Sequence, residues 1–216
     1  MPVDSLSIVI KINPISPESE LIEKAAQLIQ DGKVIVFPTD TLYGIGANAL
    51  NPSATLRIFK IKGRPLGMPL PVAVDSMKMA EKLAVIGADG KMLIESFWPG
   101  ALTLVLSKKE AVPDIVTGGT KNIALRAPNH LIPMLIIKMS KLPIIITSAN
   151  RHGEPDCRDV EEVMKQLDDS VDLVLDGGKA QQSASTVLDL TNGPRILREG
   201  PVTREMLQEV LGFRVG

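Results

Sequence analysis

Short apolar segments alternate with amphipathic segments along the whole chain, and this alternation restricts the fold more than any other feature. Residues 34–37 form a continuous apolar run that is typical of a buried strand. Residues 6–12 alternate apolar and other side chains, as a half-buried strand does. Helical segments separate such strands, which predicts an α/β fold built in layers.

About seven or more strands and five or six helices are predicted in this way. The other strand candidates are residues 72–74, 102–106, 123–126, 144–147, 173–175, 186–190 and 196–197. The later helix candidates are residues 75–83, 89–97, 130–139, 159–167 and a last helix capped by Thr203. The order of the strands cannot be read from the sequence. No repeat or linker divides the chain, so a single domain over residues 1–216 is predicted.

The first two helices have recognisable ends. Residues 16–18, Ser-Pro-Glu, are typical of an N-cap followed by a first helical turn. Gly32 is placed to end that helix, because glycine readily takes the left-handed conformation found there. Residues 51–52, Asn-Pro, are typical of the start of the second helix.

The composition argues against several classes of protein. With 216 residues, the chain can bury a sizeable core without disulfides. A net charge of −1 and 3% aromatic residues disfavour a main role in binding nucleic acid through charge or base stacking. The single cysteine, Cys157, predicts a reducing compartment. No signal-peptide pattern or long apolar stretch is present, so we expect a cytoplasmic protein with no membrane segment.

Common catalytic motifs do not account for this chain. The Gly-x-Gly sequence at residues 44–49 lacks the following helix and acid of a dinucleotide site, so close backbone packing or a turn is the better interpretation. No Walker A motif and no nucleophile elbow is present. Cys157, His130 and His152 have no partners at catalytic or metal-ligand spacing, so neither a covalent nucleophile nor a protein metal site is predicted.

Polar and basic side chains instead follow several predicted strands and helices. Residues 38–44 leave a buried strand with two threonines and an aspartate, which suit either a ligand or a capped turn. Lys62 and Arg64 end the second helix before a loop without an acid, where a phosphate or carboxylate would complete the cluster. Ser148 and Asn150 follow another buried strand and suit phosphate, ribose or amino-acid recognition. This pattern favours chemistry by positioning and charge stabilisation, as in nucleotidyl transfer.

The same residues carry a family resemblance. The motifs are Pro-Thr-Asp-Thr-Leu-Tyr-Gly at 38–44, Phe-Lys-Ile-Lys-Gly-Arg-Pro at 59–65, Pro-Leu at 69–70, Trp-Pro-Gly-Ala-Leu-Thr at 98–103, Ala-Leu-Arg-Ala-Pro at 124–128, Ser-Ala-Asn at 148–150, Ser-Thr-Val at 185–187 and Arg-Ile-Leu-Arg at 195–198. From about Leu21 to Leu211, they resemble the YrdC-like family, the L-threonylcarbamoyladenylate synthases. The resemblance implies a twisted mixed α/β sheet, flanked by helices, around a concave and positively lined cavity.

The resemblance also implies a nucleotidyltransferase reaction. L-Threonine, bicarbonate and ATP are joined into threonylcarbamoyl-AMP and pyrophosphate. The product is then used to form threonylcarbamoyl-adenosine in tRNA, so a downstream tRNA-modifying transferase complex is an implied partner. We expect Mg²⁺ as the cofactor, carried by the ATP phosphates and water rather than by a cage of protein carboxylates. A direct contact with tRNA or double-stranded RNA is left open.

Individual roles follow from the motif positions. The residues that would contact ATP are Lys62, Arg64, Asn122, Ser148, Asn150 and Arg198. The residues that would bind threonine are Thr41, Arg126 and Ser185. Lys62 and Arg64 would in addition be catalytic, because they would stabilise the charge that builds on the leaving pyrophosphate. Arg126 would bind the carboxylate of threonine.

Two positions depart from the family pattern. Met68 stands where many relatives have a polar residue, and Ala73 stands where some have a histidine. We also expect no counterpart of the extra C-terminal domain of longer relatives. Two alternatives therefore stay open. One is a module that binds double-stranded RNA or tRNA without catalysis, and the other is a paralogue that acts on another small molecule.

Overall fold

Ten strands form one sheet in the computed structural model, which describes residues 7–180 and 184–216. The strands are β1 (Ile8–Lys11), β2 (Ile35–Pro38), β3 (Tyr43–Asn48), β4 (Val72–Ala73), β5 (Leu102–Ser107), β6 (Asn122–Arg126), β7 (Ile144–Ser148), β8 (Leu173–Asp176), β9 (Thr186–Asp189) and β10 (Arg195–Arg198). The α-helices are α1 (Ser19–Gln30), α2 (Pro52–Lys62), α3 (Met77–Leu83), α4 (Ala88–Phe97), α5 (Leu131–Ser140), α6 (Val160–Leu167) and α7 (Arg204–Leu211). None of these helices in the described ranges is both long and apolar enough to cross a membrane. Leu6, in the first predicted strand, lies outside the described residues.

The sheet is mixed, with the strand order β1-β8-β2-β3-β7-β4-β6-β5-β9-β10. In its centre, β3 pairs antiparallel with both β2 and β7, and β4 pairs antiparallel with β7 and parallel with β6. Further along, β5 pairs antiparallel with β6 and parallel with β9. This confirms the predicted α/β fold with a mixed sheet and supplies the strand order that the sequence did not reveal. The assignment of residues 1–216 to one domain stays a prediction.

Alternating side chains give the sheet two different faces. In β2, Val36 packs into the larger hydrophobic core, whereas Ile35 and Phe37 pack on the opposite face with α1 and α5. The other five α-helices contribute their buried residues to the larger core. One face is therefore covered by most of the helices, while the other carries the α1–α5 pair near β2 and β8.

The strand β3 was not predicted, because its two glycines lower the strand signal. The sequence of residues 44–49 predicts close backbone packing or a turn. The close packing is present, but the backbone is extended rather than turned. A Cβ atom on Gly46 would lie 2.8 Å from Cε1 of Phe37 and 2.9 Å from the carbonyl oxygen of Ile145. Glycine is therefore required where β3 passes between its two neighbouring strands.

The ends of the first helices were predicted with mixed success. Asn51 caps α2 with its side chain, as predicted. The N-cap of α1 is Glu18 and not Ser16, so that prediction was wrong by two residues. The side chain of Asn13 accepts the backbone N–H of Ser16, which holds this segment in a local turn ahead of the helix. Gly32 has a φ of 72° just after α1, as expected for a residue that ends a helix.

Substitution of Gly46 should test the close packing of β3. We expect Gly46→Ala to lower the free energy of unfolding by about 1–3 kcal/mol, because the added methyl group must displace Phe37 or the β7 backbone. Gly67→Ala is the matched control, since a Cβ atom there meets nothing within 4 Å. Denaturant unfolding of both variants measures the difference. An equal effect of the two substitutions would contradict this account.

Candidate functional site

A cavity of about 280 Å³ lies on the less covered face of the sheet. Small residues line it where the strands pass beneath: Gly44 on β3, Ala73 on β4, Thr103 on β5 and Ala124 on β6. Large neighbours of these residues, such as Leu104, point into the opposite core. Since successive side chains of a strand alternate between faces, the sequence places bulk on one side and space on the other.

Five of the predicted site residues line this cavity, although they come from distant parts of the chain. They are Thr41 in the β2–β3 loop, Arg126 at the end of β6, Ser148 at the end of β7, Ser185 just before β9 and Arg198 at the end of β10. Besides Arg126 and Arg198, one further charged side chain among the described residues lines the cavity, that of Asp156. The mixed strand order is what brings these separate strand ends together.

Arg126 is held by protein acceptors at all three nitrogens of its guanidinium group. Nε donates to the carbonyl oxygen of Gly100 at 2.8 Å, and Nη1 donates to Oγ1 of Thr41 at 3.2 Å. Nη2 lies 2.7 Å from both carboxylate oxygens of Asp40. Burial lowers the pKa of Arg126 from its usual value, while the charge of Asp40 acts in the opposite direction. The guanidinium remains charged. Arg126, which was predicted to bind the carboxylate of threonine, is thus already paired with a carboxylate of the protein.

Asp40 is a candidate functional residue. From the sequence, it suits either a contact with a ligand or a capped turn. Its side chain is only 11% exposed and forms an ion pair with Arg126. The loop that carries it is a turn organised by the hydroxyl group of Thr39, as the capping interpretation requires. The available signal was an acid between two threonines directly after a buried strand. Nothing in the sequence identified an arginine 86 positions away as its partner.

A second polar cluster lies on the β5–β9–β10 side of the cavity. Oγ of Ser185 is 2.9 Å from Oγ1 of Thr103. Arg198 donates from Nε to the carbonyl oxygen of Ser185 at 2.9 Å and from Nη2 to its hydroxyl group at 3.2 Å. Thr103 ends the Trp-Pro-Gly-Ala-Leu-Thr motif, which by itself predicts no role for this residue. The structure brings its buried hydroxyl group together with two predicted site residues.

Lys62 is buried rather than exposed at the end of α2. Its Nζ donates to the carbonyl oxygen of Ser148, to the carbonyl oxygen of Asn150 at 2.6 Å and to Oδ1 of Asn150 at 3.2 Å. An ammonium group has three N–H donors, so protein acceptors use all of them. Burial, with the charge of Arg64 nearby, lowers the pKa of Lys62 to about 8. Lys62 therefore secures the loop after β7 and would reach a phosphate only by releasing one of these acceptors.

Arg64 lies beside the cavity wall with a donor that is not satisfied. Its Nη2 donates to the carbonyl oxygen of Pro69 at 2.9 Å, and Pro69 lines the cavity. Its Nε is buried and has no hydrogen-bond partner among the described residues. An unpaired buried N–H is costly, so an added oxygen acceptor at this position would be favourable.

Asn150 and Asn122 differ in their relation to the cavity. Asn150 is buried next to it, with Oδ1 accepting from Oγ of Ser148 at 2.5 Å and Nδ2 donating to the carbonyl oxygen of Glu154 at 2.6 Å. Asn122 begins β6, whereas Arg126 ends it. The two lie about 13 Å apart along the strand, and Asn122 does not line the cavity. Its assignment to a nucleotide pocket stays a prediction.

Cys157 and His130 have environments that are typical of structural rather than catalytic residues. Cys157 is buried, and burial together with Glu162 raises the pKa of its thiol to about 11. Nδ1 of His130 accepts the backbone N–H of Ile132 and caps α5. In residues 7–180 and 184–216, no group of three or more His, Cys, Asp or Glu side chains is placed to hold a metal ion.

The fold and cavity define an α/β protein whose incompletely covered sheet face carries a cavity with arginine, serine and threonine side chains in its lining. Residues 27–200 match the model of the Sua5/YciO/YrdC family, which is described as "Telomere recombination". The match covers most of the chain, and the chain therefore belongs to this family.

Two named relatives and a solved structure agree with this membership. The threonylcarbamoyl-AMP synthase of Pyrococcus abyssi is 42% identical over 191 residues, which are 87% of this chain and 56% of that protein. The enzyme of that name from Bacillus subtilis is 38% identical over 202 residues, or 92% of this chain and 58% of that protein. A crystal structure of P. abyssi Sua5 complexed with L-threonine superposes with a TM-score of 0.92 at 39% identity, covering 97% of this chain and 63% of that one. The chain thus spans less than two thirds of the length of these relatives.

The buried ammonium group of Lys62 predicts a specific dependence of stability on pH. The folded protein binds the Lys62 proton less tightly than the unfolded chain, so its contribution to the free energy of unfolding should rise between about pH 8 and the ordinary pKa of 10.5. Near neutral pH, Lys62→Met should cost about 2–4 kcal/mol, because three carbonyl or amide oxygens lose their donor. The deficit of the variant should grow as the pH rises through this window.

Denaturant unfolding of the wild type and of Lys62→Met over this pH range measures the effect. Lys60→Met, at an exposed position on the same helix, is the control. A deficit for Lys62→Met that stays constant or shrinks with rising pH would show that the ammonium group is not buried in this way.

Proposed function

We propose that the chain is an L-threonylcarbamoyladenylate synthase, which makes threonylcarbamoyl-AMP and pyrophosphate from L-threonine, bicarbonate and ATP. The observation that carries this proposal is the convergence of Thr41, Arg126, Ser148, Ser185 and Arg198 on one cavity. Two relatives that are 42% and 38% identical to this chain over the aligned residues are named for this activity. This chain aligns with 56% and 58% of the length of those two proteins.

The amino acid would lie between the β2–β3 loop and the start of β9. Arg126 supplies a cation for its carboxylate, and the hydroxyl groups of Thr41 and Ser185 can bond its polar groups. The P. abyssi structure with bound L-threonine supports a threonine site in this fold. Ala73 lies at the base of the cavity, so the histidine present there in some relatives is replaced by a methyl group and free space.

The triphosphate of ATP would lie towards Arg64 and Arg198. The unsatisfied Nε–H of Arg64 can donate to a phosphate oxygen, and this is the clearest free donor near the cavity. Arg198 donates hydrogen bonds to Ser185, so it links the ATP side of the cavity to the threonine side. Lys62 contributes by fixing Ser148 and Asn150 in the loop after β7, with its charge close to the phosphates.

The chemistry follows from this placement. The threonine amine combines with bicarbonate to give a carbamate and water, and a carbamate oxygen then attacks the α-phosphorus of ATP. The bond between the α-phosphorus and the bridging oxygen breaks, and its electrons leave with pyrophosphate. Negative charge grows on the leaving group, where Arg64 stabilises it. Orientation of two bound substrates supplies much of the rate, since no covalent intermediate with the protein is required.

Mg²⁺ is part of the proposal as a companion of ATP. Asp156 is the carboxylate that lines the cavity within the described residues, and one carboxylate plus phosphates and water is a common environment for this ion. When bound, the ion would neutralise phosphate charge. The hand-over of the product to a tRNA-modifying transferase complex, and any direct contact with tRNA, stay predictions of the resemblance.

Release of pyrophosphate tests the proposed activity. We expect purified protein to release pyrophosphate only when ATP, L-threonine and bicarbonate are all present, and to lose most of this activity when any one is omitted. Release that does not depend on threonine, or that requires a different amino acid, would favour a paralogue with another substrate. Salt-dependent binding of double-stranded RNA without ATP turnover would favour the binding module.

Substitution of Arg64 tests the phosphate end of the cavity. Arg64→Ala should lower turnover by about 10- to 100-fold, because the developing charge loses a direct donor. Arg195→Ala, an exposed position at the other end of β10, is the control and should leave turnover unchanged. Pyrophosphate release at saturating substrates measures both. Full activity of Arg64→Ala would remove Arg64 from the mechanism.

A further inference from the structure

We propose that Asp40 is a positioning residue for the amino-acid end of the cavity, whose carboxylate fixes Arg126 so that the guanidinium presents a remaining N–H to the substrate carboxylate. The contact is buried on both sides, with Asp40 and Arg126 side chains 11% and 14% exposed. The inference rests on the proposed function, because it concerns binding of the amino acid.

The turn that carries Asp40 is rigid for a local reason. The hydroxyl group of Thr39 donates to the carbonyl oxygen of Leu42 at 2.7 Å and accepts the backbone N–H groups of Thr41 and Leu42. The backbone N–H of Thr39 also donates to the carbonyl oxygen of Leu42. These bonds close the turn around Asp40, so its carboxylate is held in place before any ligand arrives.

Asp40 approaches Arg126 from outside the cavity. Thr41 and Arg126 both line the cavity, whereas Asp40 does not. A carboxylate that competed with the substrate would have to lie within the cavity. The observed position instead leaves the cavity side of the guanidinium available, and Nη1 has a second N–H beyond the one that Thr41 accepts. This geometry favours a tether over a competitor.

The charge of Asp40 also explains how Arg126 can remain buried. Burial and the nearby charge of Arg198 both disfavour the Arg126 cation, and Asp40 is the acid that offsets them. A buried cation without its partner is unstable and tends to move towards water. Loss of the Asp40 charge should therefore release the guanidinium from its position and weaken threonine binding more than ATP binding.

Steady-state kinetics of Asp40→Asn test this role. With pyrophosphate release as the assay, we expect the KM for L-threonine to rise by at least about tenfold, while the KM for ATP changes by less than about twofold. Asp114→Asn is the matched control. Asp114 also pairs with one cation, Lys108 at 2.6 Å, but it is 80% exposed and does not line the cavity. The control should leave both KM values unchanged.

Asp40→Glu keeps the charge and moves it by one methylene, so it decides the question if Asp40→Asn does not fold. It should raise the KM for threonine by a smaller factor, with the KM for ATP again unchanged. A threonine KM that is unchanged or lower in the folded variants would overturn the positioning role, since a lower value would mean that Asp40 competes with the substrate. Equal increases in both KM values would reduce Asp40 to a general structural residue. A wild-type protein without threonine-dependent release would overturn the proposed function and this inference together.

Discussion

The alternation of side chains across the central strands is the constraint on which the site depends. On β5 and β6, Leu104 and Leu125 point into the larger core, while Thr103 and Ala124 face the cavity. A shift of one residue in register would exchange these faces, placing leucines in the cavity and small residues in the core. Packing on one face therefore fixes the site on the other. The binding surface is maintained by burial of leucines that no ligand would touch.

Internal pairing of charged side chains is the second feature that organises the site. Lys62 is occupied by carbonyl and amide oxygens, and Arg126 is occupied by Asp40, Thr41 and a backbone carbonyl oxygen. Such groups are costly to bury unless every donor finds an acceptor. Once satisfied, they hold adjoining loops in fixed positions, which is what a site working by orientation needs.

The sequence predicted the α/β class and most strands, because apolar periodicity is a local signal. Of the nine predicted site residues, five line the cavity, and all five lie at strand ends or in the adjoining loops. The prediction failed at β3, where Gly44 and Gly46 are required by contacts with neighbouring strands that lie elsewhere in the sequence. It placed the N-cap of α1 at Ser16, since it could not show that Asn13 already accepts that N–H group. The order of strands stayed unreadable for the same reason: pairing is a property of the sheet and not of a segment.

The roles of the four cations near the cavity cannot be distinguished from their residue types alone. Lys62, Arg64, Arg126 and Arg198 look equivalent as positive residues near strand and helix ends, yet their donors are used differently. Of these four cations, only Arg64 has a buried nitrogen, Nε, that has no acceptor at all among the described residues. In the proposed function, a triphosphate would use the unpaired Nε–H of Arg64. Lys62 would act through the loop that it holds, and Arg126 through the N–H that its protein partners leave free. The distinction depends on which acceptors surround each nitrogen, and burial rather than sequence spacing determines it.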